Sequence, residues 1–342
     1  MYAAILGIAM AAVGCHAQQV LVNSGGATFP FPIYSKWFDE YHKKFPNVQI
    51  NYQSQGSSFG VQQITAGTID FAGSDPTMTD AQIKEFKDKR GFGVLHFPTV
   101  LGGNVPIYNL PGINQQLNFT GDALAGIYLG KITKWNDPEL TKANPGVNLP
   151  NAAIAVVHRS DGSGTTFVWT DYLSKVSKEW ETKVGRANSV NWPVGLGGKG
   201  SEGVTGQVKQ QPNSIGYVEV IYALQNKLEH GKVKNQAGNF VDATLQGVTA
   251  AAAGALKEIP DDFRVSITNA PGKDAYPIST FTYLLIPEKI ADPAKKKAIK
   301  DFLAWALKDG PGSGQSFCED LHFAKLPKAV VDKEVKAMAK IQ

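Results

Sequence analysis

The chain has 342 residues, 43% of them apolar and 19% charged, and a formal net charge of +4. That length exceeds one modest core and predicts two domains, with a composition ordinary for a soluble globular protein. Charges of both signs are dispersed, and the densest basic run, AKKKAIK at 294–300, reads as a solvated helix face, which argues against nucleic acid as a partner.

The N-terminus, MYAAILGIAMAAVGCHAQQ, carries an apolar stretch from Ala3 to Val13. It is too short for a bilayer span, which takes about 20 residues, and fits the core of an export signal cleaved after Ala17. The charged segment that usually precedes such a core is missing. Gly14-Cys15 offers a lipid-anchored alternative, but Ala12 stands where such signals prefer leucine. With Cys15 in the signal, Cys318 is alone and reads as a small apolar filler.

Downstream, short strand-like runs alternate with amphipathic stretches. QVLVNSGG (19–26) predicts a strand, and 33–45 a helix with Ile33, Trp37, Phe38, Tyr41 and Phe45 on one face. A strand and loop over 47–58, a short helix over 58–67 and a strand and turn over 68–75 follow. Residues 79–89 predict a helix whose Thr79 and Gln82 are spaced as a capping box. This alternation predicts a doubly wound α/β fold. Residues 93–112 form a strand-rich run broken at Gly102-Gly103, where the chain would cross into a second domain. That domain would include a strand, loop and helix over 152–176 and the segment 214–226. Residues 275–287 give another strong strand, and 295–310 a helix stopped by Gly310.

Three loops are of one kind. GGATFPFP (25–32), QGSSFG (55–60) and DGSGTTF (161–167) each place small polar residues between a strand and a helix. Each alone is most simply a helix cap, since Ser and Thr are favoured there. Arg159 precedes the third, and arginine suits a planar grip on an oxyanion. Helix N-termini attract anions and, in α/β folds, lie beside the strand ends where ligands bind. Three of them meeting in a cleft would make a cage of N–H and O–H donors for a small tetrahedral oxyanion.

GGATFPFPIYSKW, QGSSFGVQQI, IDFAGSD, YLGKITKWNDP, IAVVHRSDGSGTTFVWTDYL, WPVGLGGKGSEGV and IGYVEVIYA, in this order, resemble the phosphate-binding protein of the Pst-type bacterial ABC importer. The resemblance covers nearly the whole chain after the signal. It implies an α/β, two-lobed periplasmic binding protein of type II-like form, with a hinge and a central ligand cleft. The lobes it implies are 18–102 with 279–342, and 103–278, after a signal at 1–17. It carries over Thr28, Phe29, Ser57, Asp75, Arg159, Ser163, Gly164 and Thr165 as phosphate ligands, with Asp161 turned toward Arg159 to fix its fork. It further implies a periplasmic monomer that delivers phosphate to permease subunits with their ATPase, without a cofactor, a metal or catalysis.

The residue chemistry agrees with these roles. Phosphate near neutral pH keeps at least one O–H, and a carboxylate is acceptor-only. Asp75 can accept that hydrogen, whereas ionised sulfate has none to give. Arsenate passes the same filter. The plain alternatives are a turn at Asp75-Pro76, an Asp-Gly turn at Asp161 and a surface ion pair for Arg159. A catalytic reading, with Ser163 as nucleophile and His158 as base, lacks a recognisable nucleophile frame. His158 is given no ligand role. GLGGKG (195–200) matches a dinucleotide pattern only weakly and reads as a structural glycine turn.

Overall fold

The computed structural model describes residues 19–255 and 260–342; the proposed signal and Cys15 lie outside them. In chain order the strands are β1 (Val20–Gly26), β2 (Val48–Ser54), β3 (Phe71–Ser74), β4 (Val94–Asn109), β5 (Asn118–Phe119), β6 (Ala155–Arg159), β7 (Leu196–Gly198), β8 (Ser214–Glu219), β9 (Glu229–His230), β10 (Lys232–Lys234), β11 (Phe240–Val241) and β12 (Ser279–Pro287). The helices are α1 (Phe31–Lys44), α2 (Ser57–Ala66), α3 (Asp80–Arg90), α4 (Gly121–Tyr128), α5 (Pro138–Ala143), α6 (Gly164–Val176), α7 (Lys178–Lys183), α8 (Gly200–Gln210), α9 (Val220–Asn226), α10 (Leu245–Ala255), α11 (Pro293–Leu307) and α12 (Lys328–Ala337).

A sheet of order β2-β1-β3-β12-β4-β8-β6-β7 runs through both lobes, and β9 joins it against β4. Its two ends are parallel, as βα alternation requires: β2-β1-β3 on one side and β8-β6-β7 on the other. The middle departs from that expectation, because β12 runs antiparallel to both β3 and β4, and β4 antiparallel to β8. Long-range pairing decides this, and βα periodicity cannot report it. β12, STFTYLLIP, is buried along its whole length, with an apolar second half and a first half that carries Ser279, Thr280 and Thr282.

β4 is the strand shared between the lobes. Its first part pairs with β12 as far as Gly103↔Ser279, and its second part pairs with β8 from Asn104↔Glu219 onward. A second segment runs alongside, where the Asn104 N–H donates to the Ile278 carbonyl at 2.9 Å.

One aromatic core ties the chain's two ends together. Phe302 of α11 packs on Phe38 and Tyr41 at 5.3 Å each, and the Trp37 indole donates to the Gly314 carbonyl at 2.7 Å. The other lobe is built around Trp169 stacked on Tyr217 at 4.9 Å, with Tyr128 edge-on to Trp169 at 5.5 Å. Cys318 is a free, buried thiol whose pKa burial pushes up to about 12.

The capping box of α3 forms as predicted, with Thr79 and Gln82 each bonding the other's backbone N–H. Two local expectations are corrected. Phe45 does not join the buried face of α1; it is the C-cap, 38% exposed, with its ring against Tyr41 and under the Lys44 ammonium. α11 ends at Leu307 with an extended Lys308 as C-cap, so Gly310 lies beyond the stop instead of making it.

Candidate functional site

The predicted site residues all fall where parallel strands end and helices begin. β1 runs out at Gly26 and leads to Thr28 and Phe29; β2 leads to Ser57, the first residue of α2; β3 leads to Asp75. In the other lobe β6 ends on Arg159, and Ser163 caps α6, whose first turn holds Gly164 and Thr165. The N–H groups of such first turns have no intrahelical acceptor and point out of the helix end. All eight residues are buried between the lobes.

Contacts across the lobes hold the arrangement shut. Ser58 N–H donates to the Gly162 carbonyl at 3.0 Å, and the Asn188 amide donates to Ser58 Oγ at 3.2 Å. The Tyr222 hydroxyl donates to the Thr28 carbonyl at 2.5 Å, and Arg264 Nη1 donates to Asp80 Oδ1 at 2.6 Å. Closest of all is Gly164. A Cβ there would run into Ser57 Oγ and Asp75 Oδ2, both from the facing lobe. Gly164→Ala is therefore expected to prop the cleft open and to lower affinity for the cleft ligand at least a hundredfold. Calorimetry measures the loss, and small-angle scattering should show the variant failing to compact when the ligand is added.

Arg159 is 3% exposed and held at its main chain and along one edge of its fork. Its main-chain N–H donates to the Tyr217 hydroxyl at 3.1 Å, so the aromatic core sets the strand end from which it projects. Asp161 takes Nε at 2.7 Å and Nη2 at 2.5 Å as a bidentate pair, the role expected of it. Burial alone would raise the Asp161 carboxyl; the Arg159 guanidinium and the Gly200 N–H outweigh it and hold the group below the ordinary carboxylate range. Nη1 is left with only two long contacts, Thr165 Oγ1 and Ser201 Oγ at 3.4 Å each, and is free to grip an anion.

Asp75 is the opposite case. It is 1% exposed; its Oδ1 accepts from the Thr282 hydroxyl at 2.9 Å, while Oδ2 is buried with no hydrogen-bond partner. Burial pushes its pKa up to about 7 against the pull of Thr282, Arg159 and the nearby Ser57 hydroxyl. Ser57 Oγ accepts the Asp75 N–H at 3.2 Å, which leaves the serine's own proton to donate elsewhere. Ser163 is similar: its Oγ accepts the Thr166 N–H at 3.1 Å as a helix cap, and its O–H is a spare donor. The Phe29 ring packs edge-on to Phe323 and against Gly102, so only its main chain can serve the cluster.

The result is a compact set of donors, Thr28, Ser57, Arg159, Ser163, Thr165 and helix N–H groups, facing Asp75 Oδ2, an acceptor left without a partner. His158 is not part of it. Its Nδ1 lies 3.0 Å from the Arg159 carbonyl and its ring stacks on Trp192 at 4.9 Å, so no His158–Ser163 pair forms. Two cavities of about 530 Å³ lie elsewhere, one lined by Thr120, Lys142 and Asn269, the other by Leu307, Lys328 and Val335. Beside the cluster is a cavity of about 110 Å³, lined by Asp75, Phe167, Arg264 and Thr280. Among the described residues no group of three or more His, Cys, Asp or Glu side chains could hold a metal ion.

The sequence reading missed Ser201 and Thr282. GLGGKG is more than a turn: it forms β7 and the start of α8, and delivers Ser201, fully buried, to Arg159 and Thr28. The signal was present, because GGKGSEG is a fourth strand, small-residue loop and helix start. Thr282 is one of three serine or threonine residues of β12, with Ser279 and Thr280, and its hydroxyl is spent on Asp75.

Two lobes joined by paired crossing segments, with helix N-termini closing on a buried donor cage, define a solute-binding protein. The family model described as PBP superfamily domain matches residues 14–309. The phosphate-binding protein PstS of Pasteurella multocida is 44% identical over 97% of this chain and 93% of its own. That of Methanocaldococcus jannaschii is 40% identical over 85% of this chain and 79% of its own. The chain belongs to the PstS phosphate-binding protein family. Solved structures agree on the fold. A high-affinity periplasmic phosphate-binding protein bound with phosphate superposes with TM-score 0.73 at 21% identity, over 93% of each chain. A putative phosphate ABC transporter substrate-binding protein from Clostridium perfringens does so with TM-score 0.66 at 20% identity, over 90% of this chain and all of the other.

Proposed function

We propose that this protein binds inorganic phosphate in the cleft and hands it to an ABC importer. The observation that carries the reading is Asp75 Oδ2, a buried acceptor without a partner facing the Arg159 fork and the hydroxyl and N–H donors. An anion that keeps one O–H satisfies both at once: its bare oxygens take the donors and its proton goes to Asp75. Membership of a family named for phosphate binding supports the same ligand. Phosphate makes one lobe's Thr28, Phe29, Ser57 and Asp75 and the other's Arg159, Ser163, Gly164 and Thr165 mutually compatible, so it selects the closed state over the open one. The lobes are 18–102 with 279–342, and 103–278, and the crossings near 100–105 and 275–280 are the hinge. No step makes or breaks a covalent bond. The protein acts as a monomer in the periplasm after loss of residues 1–17 and docks on permease subunits that carry their ATPase. Among the described residues no helix is long and apolar enough to cross a membrane.

The test is calorimetry at about pH 8, above the Asp75 titration, on protein refolded free of ligand. Tight one-to-one phosphate binding without a sulfate response is expected. Tight sulfate binding would keep the cage but overturn the acceptor argument, and binding of neither would return the loops to simple helix caps.

A further inference from the structure

Ser201 sits near the start of α8 and is fully buried, yet its hydroxyl makes no bond within its own helix. Its two partners lie elsewhere. Thr28 Oγ1, in the facing lobe, is 2.9 Å away, and Arg159 Nη1, in its own lobe, is 3.4 Å away. Both belong to the proposed phosphate cage, so this inference rests on that reading.

Hydrogen-bond inventory gives the arrangement a direction. A guanidinium only donates, so Ser201 Oγ accepts from Arg159. A serine hydroxyl has one proton, and an oxygen that accepts from a cation gives that proton more readily. The neighbour that can take it is Thr28 Oγ1. Once Thr28 Oγ1 accepts from Ser201, its own proton turns away from Ser201 and toward the cage. We propose that Ser201 is a positioning residue for anion retention: it relays Arg159's polarity across the closed cleft and holds the Thr28 hydroxyl as a donor to the bound phosphate.

Two further contacts support the placement. The Gly200 N–H donates to Asp161 Oδ1 at 3.0 Å, so the carboxylate that holds Arg159 also holds the turn entering α8. Gly200 itself has φ of +71°, a left-handed conformation that a side chain would strain, and this conformation sets where Ser201 emerges. The Ser201–Thr28 bond exists only when the lobes meet, so its loss should speed opening and leave capture unchanged.

The experiment is a double-mutant cycle on ligand-free refolded protein, with phosphate as the probe and stopped-flow for the rates. Ser201→Ala is expected to weaken phosphate about tenfold, the scale of one lost hydrogen bond. The change should lie in the dissociation rate, with phosphate-to-sulfate discrimination retained because Asp75 is untouched. In a Thr28→Val background the same substitution should cost about twofold or less, because the hydroxyl it orients is gone. Independent, additive losses would overturn the proposal, as would a Ser201→Ala protein that binds like its parent. A purely structural serine would lower thermal stability equally in both backgrounds without coupling to phosphate release. A parent that binds no phosphate would overturn the functional reading itself, a failure visible before any variant is made.

Discussion

Asp75→Asn is expected to abolish most of the discrimination between phosphate and sulfate. A site built to accept one ligand hydrogen rejects an isostere lacking it by about 10⁴-fold, because two acceptors are forced together away from water. An asparagine can turn its NH₂ toward the anion, so the variant should bind sulfate, and phosphate should lose its advantage. The pKa of about 7 adds a pH signature. Burial favours the neutral carboxyl, so Asp75 is an acceptor-only anion above that pH and carries a proton below it. The parent should therefore gain sulfate affinity as pH falls from 8 to 5, while the asparagine variant stays flat. Calorimetric titrations of both anions at three pH values decide it. Equal discrimination in parent and variant, or parallel pH profiles, would remove Asp75 from the filter.

Arg159→Ala should cost phosphate affinity a hundredfold or more, for two reasons that act together. The anion loses a charge-assisted fork, and Asp161 is left part-buried with only the Gly200 N–H to offset its charge, beside the place the anion must occupy. Breaking a fully buried ion pair from one side costs about 3–5 kcal/mol, and the part-buried Asp161 places this pair at or below the lower end. The second reason is separable. Adding Asp161→Asn to Arg159→Ala removes the stranded charge and should recover part of the loss, whereas Asp161→Asn alone should weaken binding by loosening the fork. Affinity within threefold of the parent for Arg159→Ala would exclude the arginine from the site. A double variant no better than the single one would show that Asp161 carries no uncompensated charge.

How much of this was legible beforehand varies residue by residue. The elements that carry the site were readable because each has a local cause. Ser163 caps α6, Thr79 and Gln82 box α3, and the alternation of apolar runs with small-residue loops marks where strands give way to helices. The Arg159–Asp161 pair was implied by the family resemblance, with an Asp-Gly turn as the alternative, and the pair forms. The antiparallel course of β12 between β3 and β4 was not readable, because it depends on a partner far away in the chain. Phe45 was misplaced because helical spacing continues past the point where the chain turns.

The sequence by itself determined the residue types and their local stage: four helix starts with small polar residues, one arginine with its own aspartate, and one aspartate closing a strand. Those are short-range properties, set by backbone propensity and capping. Only the tertiary structure decided that the starts converge, that Gly164 meets Ser57 and Asp75 from the other lobe, and that Ser201 reaches Thr28. It also decided that Asp75 Oδ2 is left without a partner. A raised carboxyl pKa and an unsatisfied acceptor are consequences of burial by distant residues, and no local pattern in the chain encodes that burial.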